Sequence, residues 1–257
     1  VKAFLSECGL TVADFSMVVA RAGVTPPLDA GAYLIDQAMV DCLKNRPLLD
    51  HPSNMCPVAA YELCQGTNVP CIIYDSLFDQ MEPVAKLTGM PEIRRTHMGH
   101  VENMRAVAFK TAEALGKPLE SCNFILTHLG GGITQSVMRQ GRLVDFNDSS
   151  NSPFSPERAG IVPARQLAKL IYSGKFTEGE MMKKLTGKGG LYAHLGTADC
   201  IEVERRIQAG DAQAKLVYEA MAYQTAKGIG AFAAVLSGRV DAVILTGGIA
   251  HSEYFTN

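Results

Sequence analysis

Cys122-Asn-Phe-Ile-Leu-Thr-His-Leu-Gly-Gly-Gly132 opens a stretch, residues 122–147, from which the fold is read. Asn123 to His128 has the length of a strand, and Phe124, Ile125 and Leu126 give it a buried apolar centre. Gly130, Gly131 and Gly132 end it with three positions that carry no side chain, so the backbone can turn sharply and another group can come close. Ile133 to Met138 alternates loosely, Gln140-Gly141 is a turn signal, and Arg142 to Phe146 returns as a second strand. Strand, glycine loop and hairpin together can cradle a phosphate, because successive N–H groups in such a turn form an anion-binding concavity. Taken alone, three glycines read more simply as a β-turn without a ligand.

A second element of the same design weights the first reading. In Val240-Asp-Ala-Val-Ile-Leu-Thr-Gly-Gly-Ile-Ala250, Ala242 to Leu245 has the continuous apolar character of a strand buried on both faces of a parallel sheet. Thr246, Gly247 and Gly248 end it, and a helix is expected to follow. Open α/β sheets bind ligands beyond the carboxyl ends of their strands, where both glycine loops would sit. Neither G-x-x-x-x-G-K-[ST] nor G-x-G-x-x-G occurs, so a P-loop NTPase and an ordinary Rossmann dehydrogenase are poor fits.

Composition narrows the class. The 257 residues are 47% hydrophobic and 19% charged, as in a folded protein long enough for two lobes. A formal charge of −2 gives no electrostatic footprint for nucleic acid or an acidic membrane, and no apolar run has the ~18 residues of a membrane span. Seven scattered cysteines without a C-x-x-C pair indicate neither a disulfide framework nor a zinc site, and point to reduced thiols in a cytoplasmic protein. Val1 and the stop at Asn257, just after a first helical turn, suggest a piece of a longer chain.

In chain order, residues 1–10 read as the tail of a helix closed by Gly9, and Phe15 to Ala20 as a strand running into Arg21. An arginine just past a strand end suits an anion, although an ordinary solvated charge is as good a local account. Tyr33 to Lys44 reads as an amphipathic helix, and a second helix through Leu63 is capped by Ser53 or Asn54. Val69 to Tyr74 is a strand, with Asp75 at its carboxyl end as a cap for the next turn or part of a polar cleft. His97 and His100 are spaced to ligate metal, but no third ligand is placed to join them, and a helix follows from Val101 to Leu115. The polar, proline-interrupted run from Asp145 to Gly160 cannot be a regular element; Arg158 is its one cation. Short helices are expected over Pro163–Tyr172 and Glu178–Leu185, and Gly187 to Gly190 is a loop carrying a lysine. Asp199 precedes a helix with Glu202 and Glu204, and Asp211 caps a long helix to about Leu236.

His128-Leu-Gly-Gly-Gly132, Pro153-Phe-Ser-Pro-Glu-Arg158, Thr186-Gly-Lys-Gly-Gly190 and Leu245-Thr-Gly-Gly-Ile-Ala250 occur in an order and spacing that resemble the butyrate kinases. These are acyl kinases similar to acetate kinase, in the sugar kinase, actin and heat-shock chaperone superfamily. The resemblance runs from about Phe15 to the last residue. Acetate kinase itself is less similar, with an asparagine at the position of Gly131.

The resemblance implies an α/β, ribonuclease-H-like two-lobed acyl kinase (actin-like ATPase) fold with an incomplete first lobe. Residues 1–80 would be the remnant of the N-terminal lobe and residues 81–257 the nucleotide-binding lobe, incomplete at its C-terminal end. The ligands it implies are ATP or ADP with Mg²⁺ and a small carboxylate or acyl phosphate, in a homo-oligomer. By position, His128, Gly130, Gly131 and Gly132 resemble the second phosphate-binding loop. Gly247, Gly248 and Ile249 resemble the adenosine loop, and Asp199 the acid near the ribose. Arg158 matches the arginine on the transferred phosphoryl group, His100 a histidine beside it, Asp75 the catalytic aspartate and Arg21 a basic residue at the acyl carboxylate. The family's first phosphate loop, its C-terminal helices and an acidic residue that helps hold Mg²⁺ have no counterpart in these residues, so metal ligands are not assigned.

Overall fold

Residues 1–79 and 80–257 form two units in a computed structural model that describes every residue except 27, 49, 76–79, 98, 149 and 150. The first unit begins with helix α1 (Lys2–Glu7) and contains strands β1 (Val18–Ala20) and β2 (Ala32–Leu34). Helices α2 (Gln37–Asn45) and α3 (Met55–Cys64) follow, then strand β3 (Cys71–Tyr74). The sheet order is β1-β3-β2, with β1 parallel and β2 antiparallel to β3. Val40 and Leu43 from α2, Val58 and Ala60 from α3, and Cys71 and Ile73 from β3 bury its core.

Two expectations fail here for identifiable reasons. Tyr33 is in a strand opposite Ile73, not in a helix. The helix starts only at Gln37, where the Asp36 carboxylate accepts the Met39 N–H at 2.8 Å and fixes the first turn. Asn54 stands at the N-cap of α3 but makes no capping bond; its Oδ1 accepts the Val24 N–H at 2.8 Å across the unit instead.

The second unit continues with α4 (Pro83–Lys86) and α5 (Val101–Ala114), then β4 (Asn123–Leu129), β5 (Ile133–Arg139) and β6 (Arg142–Asn147). After the proline-rich loop come α6 (Ala164–Ile171), α7 (Glu178–Leu185), α8 (Gly190–Leu195) and α9 (Cys200–Gln208). The long α10 (Ala212–Val235) leads to β7 (Ala242–Thr246) and the short α11 (Glu253–Thr256). The sheet order is β6-β5-β4-β7; β4–β5–β6 is an antiparallel meander, and β7 runs parallel to β4.

The period of two along β4 sorts its side chains. Ile125 packs with Phe232 of α10 and with Leu236 just past its end, and Leu129 with Met221, on one face. His128 turns to the other face, where its ring meets Asn103 of α5. Strand β7 departs from expectation. It is an edge strand of alternating burial, with Val243 48% and Leu245 37% exposed, so its apolar run is not buried on both faces. Apolar content does not distinguish a covered strand from an edge one, because that depends on what packs alongside.

Gly228 lets α10 approach the sheet. A Cβ on it would lie 1.8 Å from Oε1 of Gln135, a fully buried side chain whose Nε2 donates to the Thr225 carbonyl at 3.0 Å. Alanine would favour the helix by up to about 1 kcal/mol, but the overlap costs about 1–3 kcal/mol. Gly228→Ala is therefore expected to lower the melting temperature, and a variant more stable than its parent would contradict this contact.

Candidate functional site

Because β4 and β7 are parallel and adjacent, with His128 beside Thr246, their glycine loops leave the sheet at the same end. Gly247 holds φ +92°, and a Cβ there would lie 2.4 Å from the Leu129 carbonyl oxygen; this crossing needs glycine. Both loops line one cavity of ≈ 470 Å³, with Gly130, Gly131, Gly248 and Ile249 in its wall. Pro156, Ala198 and Ile201 add apolar surface, and Cys200, Glu204, His251 and Ser252 complete it.

The proline-rich loop is docked on the first glycine loop. The Ser155 hydroxyl donates to the Gly131 carbonyl at 2.8 Å, and the Glu157 N–H donates to the same oxygen at 3.2 Å. With that carbonyl pinned, the N–H groups of Gly131 and Gly132 have no acceptor among the described residues. Two free donors in succession beside a cavity are what an anion requires.

Arg158 lies against Gly132. A Cβ on Gly132 would be 2.6 Å from the guanidinium carbon and 2.7 Å from Nη1. The guanidinium is half-buried and, among the described residues, pairs with no carboxylate, so its fork of donors is available. Its backbone is fixed by a bridge to Thr186 and by the Ala159 N–H donating to the Leu185 carbonyl at 3.0 Å. Gly189 and Gly190 fit behind it, the latter at φ +58° against the Ser155 carbonyl. The four sequence motifs thus meet in one region of the second unit.

His100 and His128 stack with ring centroids 3.7 Å apart and planes 14° from parallel. His100 Nδ1 is 2.9 Å from the Thr134 hydroxyl, and His128 Nδ1 is 2.9 Å from Asn103 Oδ1. Thr134 is opposite His128 in the β4–β5 ladder, so the sheet itself brings the pair together. Among the described residues no group of three or more His, Cys, Asp or Glu could hold a metal. Burial holds the His128 imidazole below its ordinary 6.5, so it is uncharged at neutral pH. Unfolding restores the ordinary proton affinity, and the unfolded chain then binds more protons in acid. Stability is therefore unaffected above pH 6.5 and falls as the pH drops through the lowered folded value. His128→Asn should flatten that acid limb in denaturant midpoints taken from pH 7 to pH 5; equal slopes would contradict the effect of burial.

Asp199 caps α9, its Oδ1 accepting the N–H groups of Ile201 and Glu202 at 2.9 and 3.4 Å. It is exposed, and its neighbours Ala198 and Cys200 line the cavity rather than Asp199 itself. The acid in the wall is Glu204, whose Oε1 accepts from the Tyr218 hydroxyl at 2.8 Å and from Ser252 at 2.6 Å. Sequence reading missed this residue, because its partners are 14 and 48 positions away. Burial pushes the neighbouring Cys200 thiol up to about 11, which keeps it protonated and unreactive.

Arg21 and Asp75 belong to the first unit, where they follow the parallel strands β1 and β3. Arg21 is exposed. Asp75 is buried at φ +45°, its backbone N–H donating to the Gly31 carbonyl at 2.9 Å and its carboxylate accepting the Gly31 N–H at 3.0 Å. Whether it also caps a following turn lies outside the described residues.

Residues 90–255 match the family model described as the Acetokinase family. The chain belongs to this family. Its fold is that of solved acetokinase structures, as the α/β, actin-like ATPase expectation requires. The chain superposes on the acetate kinase of Porphyromonas gingivalis with a TM-score of 0.80 at 22% identity, covering 95% of this chain and 64% of that one. It superposes on a propionate kinase from Francisella tularensis subsp. tularensis SCHU S4 with a TM-score of 0.78 at 21% identity, covering 98% and 68%. For the acetate kinase of Entamoeba histolytica the values are 0.77 and 16%, again covering 98% and 68%. This acetokinase chain thus spans about two thirds of the length of the structures it matches. No helix among the described residues is long and apolar enough to cross a membrane.

Proposed function

We propose that the chain belongs to a short-chain carboxylate kinase that transfers the γ-phosphoryl group of ATP reversibly to butyrate. The observation that carries this reading is the single cavity lined by both glycine loops, with the Arg158 guanidinium lying against Gly132. In the reaction a carboxylate oxygen bonds to the γ-phosphorus, the bond to the bridging oxygen breaks, and ADP leaves with the electron pair. The attacking carboxylate has no proton to lose, so no general base is needed. What the protein must do is bring two anions together and offset charge spreading over the transferring group.

The residues divide that work. The free N–H groups of Gly131 and Gly132 hold phosphate oxygens, and Arg158 places its fork on the transferring group. The stacked His100 and His128 stand beside it, and Gly248, Ile249 and Ile201 offer an apolar wall to the base. Mg²⁺ would be carried mainly by the phosphates and water, which needs only one or two carboxylates from protein. Roles for Arg21, Asp75 and Asp199 are proposed on the family pattern alone.

Hydroxylamine trapping with a panel of acids tests the proposal. Acyl hydroxamate should form fastest with butyrate, with propionate, isobutyrate and acetate as the nearest rivals. Faster turnover of acetate or propionate would reassign the acid. Transfer to a polyol, with no hydroxamate from any acid, would point to a sugar kinase and overturn the reading.

A further inference from the structure

Away from the glycine loops, α7 and α8 enclose a second hollow of ≈ 450 Å³, lined by Phe176, Glu180, Lys183, Lys184, Lys188 and Tyr192. Three lysines and one glutamate line it, a local excess of positive charge on a chain whose formal charge is −2. None of the three lysines has an ion pair among the described residues. The Glu180 carboxylate is already occupied, accepting the Thr177 N–H at 2.8 Å and its hydroxyl at 2.9 Å in a capping box. Lys184 is held in place by the Phe176 ring, with Nζ 4.7 Å from its centroid.

Helix-terminal lysines often do no more than complement the helix dipole, and Lys183 and Lys184 in the last turn of α7 answer to that. Lys188 does not, because it follows the helix in the loop that returns over the hollow, its N–H donating to the Lys183 carbonyl at 2.7 Å. Helix end and loop thus each contribute lysines to the wall of the same hollow.

We propose that this hollow is a binding site for a multiply charged phosphate anion, separate from the β4–β7 cavity. Each ammonium is a point charge with three donors, which suits the dispersed oxygens of a polyphosphate chain better than a single carboxylate. The site has a consequence for Arg158. Thr186 bridges to Arg158, and the Gly189 N–H donates to the Glu157 carbonyl at 3.1 Å. An anion joining Lys183 and Lys184 to Lys188 would brace the segment that holds the Arg158 backbone.

Inorganic tripolyphosphate is the probe, titrated calorimetrically into the 257-residue chain with and without saturating ADP. Saturable binding is expected in both cases, weakened at least tenfold by Lys183→Gln/Lys188→Gln and less by Lys184→Gln. Hydrogen exchange at the Ala159 and Gly189 amides should slow on binding. The lysines are exposed, so the variants should keep the parent's circular dichroism and melting temperature. Binding that persists in the double variant, or that ADP abolishes, would place the anion at the glycine loops and overturn the proposal. Absence of saturable binding to the parent, with sodium chloride of equal ionic strength as control, would do the same.

Discussion

Arg158→Ala is expected to lower kcat for acyl phosphate formation by about 10²–10³, roughly 3 kcal/mol, while the nucleotide KM changes less than threefold. The asymmetry follows from where the guanidinium lies. It packs against Gly132 rather than against the apolar wall of the cavity, and among the described residues it has no carboxylate partner, so its donors are free for charge that develops in the reaction. Removing it should leave the loops intact, because the segment is held to Gly131 by the Ser155 hydroxyl and the Glu157 N–H, and to Thr186 by the Arg158 backbone, none of which uses the guanidinium. Arg158→Lys should recover only part of the loss, since an ammonium cannot reproduce the planar fork. Steady-state kinetics with trapped product separates the cases: equal losses in nucleotide binding and in turnover would make Arg158 a ground-state contact.

The second large effect concerns folding. Gly190→Ala would place a Cβ 1.6 Å from the Ser155 carbonyl oxygen, at φ +58°, where an L side chain is strained. The backbone conformation costs about 1–2 kcal/mol, and overlap with main chain that cannot rotate away adds about 1–3 kcal/mol. A total near 4 kcal/mol would lower the melting temperature by about 10 °C for a unit of this size. The damage should not stay local, because Ser155 also donates to the Gly131 carbonyl. Calorimetry and nucleotide affinity should therefore decline together. A variant with the parent's melting temperature would show that the Ser155–Gly190 approach is not part of the fold.

The central meander was legible because Phe124 to Leu126 is a short apolar run ended by glycines, Ile133 to Met138 alternates loosely, and Gln140-Gly141 is an unambiguous turn, with φ values of +50° and +75°. The long α10 was legible from Asp211, whose Oδ1 accepts the Ala214 N–H at 2.9 Å as a cap should. Tyr33 misled, since Tyr33 to Lys44 keeps helical periodicity although the chain is extended through Leu34. Helix α8 was missed because Gly189 and Gly190, read as loop, start it from a left-handed residue that sequence pattern associates with endings. At the candidate site, the glycine loops, His128 and Arg158 could be placed by motif. Glu204, Tyr218 and Ser252 could not, because they converge only once α9, α10 and the turn after β7 are packed. Asp199, placed by position before a helix, caps α9 through Oδ1, accepting the Ile201 N–H at 2.9 Å.

Amide chemical-shift mapping with Mg-ADP tests the central claim most directly, since it asks whether two loops far apart in sequence answer to one ligand. The account predicts that Gly131, Gly132, Gly248 and Ile249 shift together along a single saturation curve. Shifts confined to one loop, or saturable binding that leaves both unmoved, would contradict it.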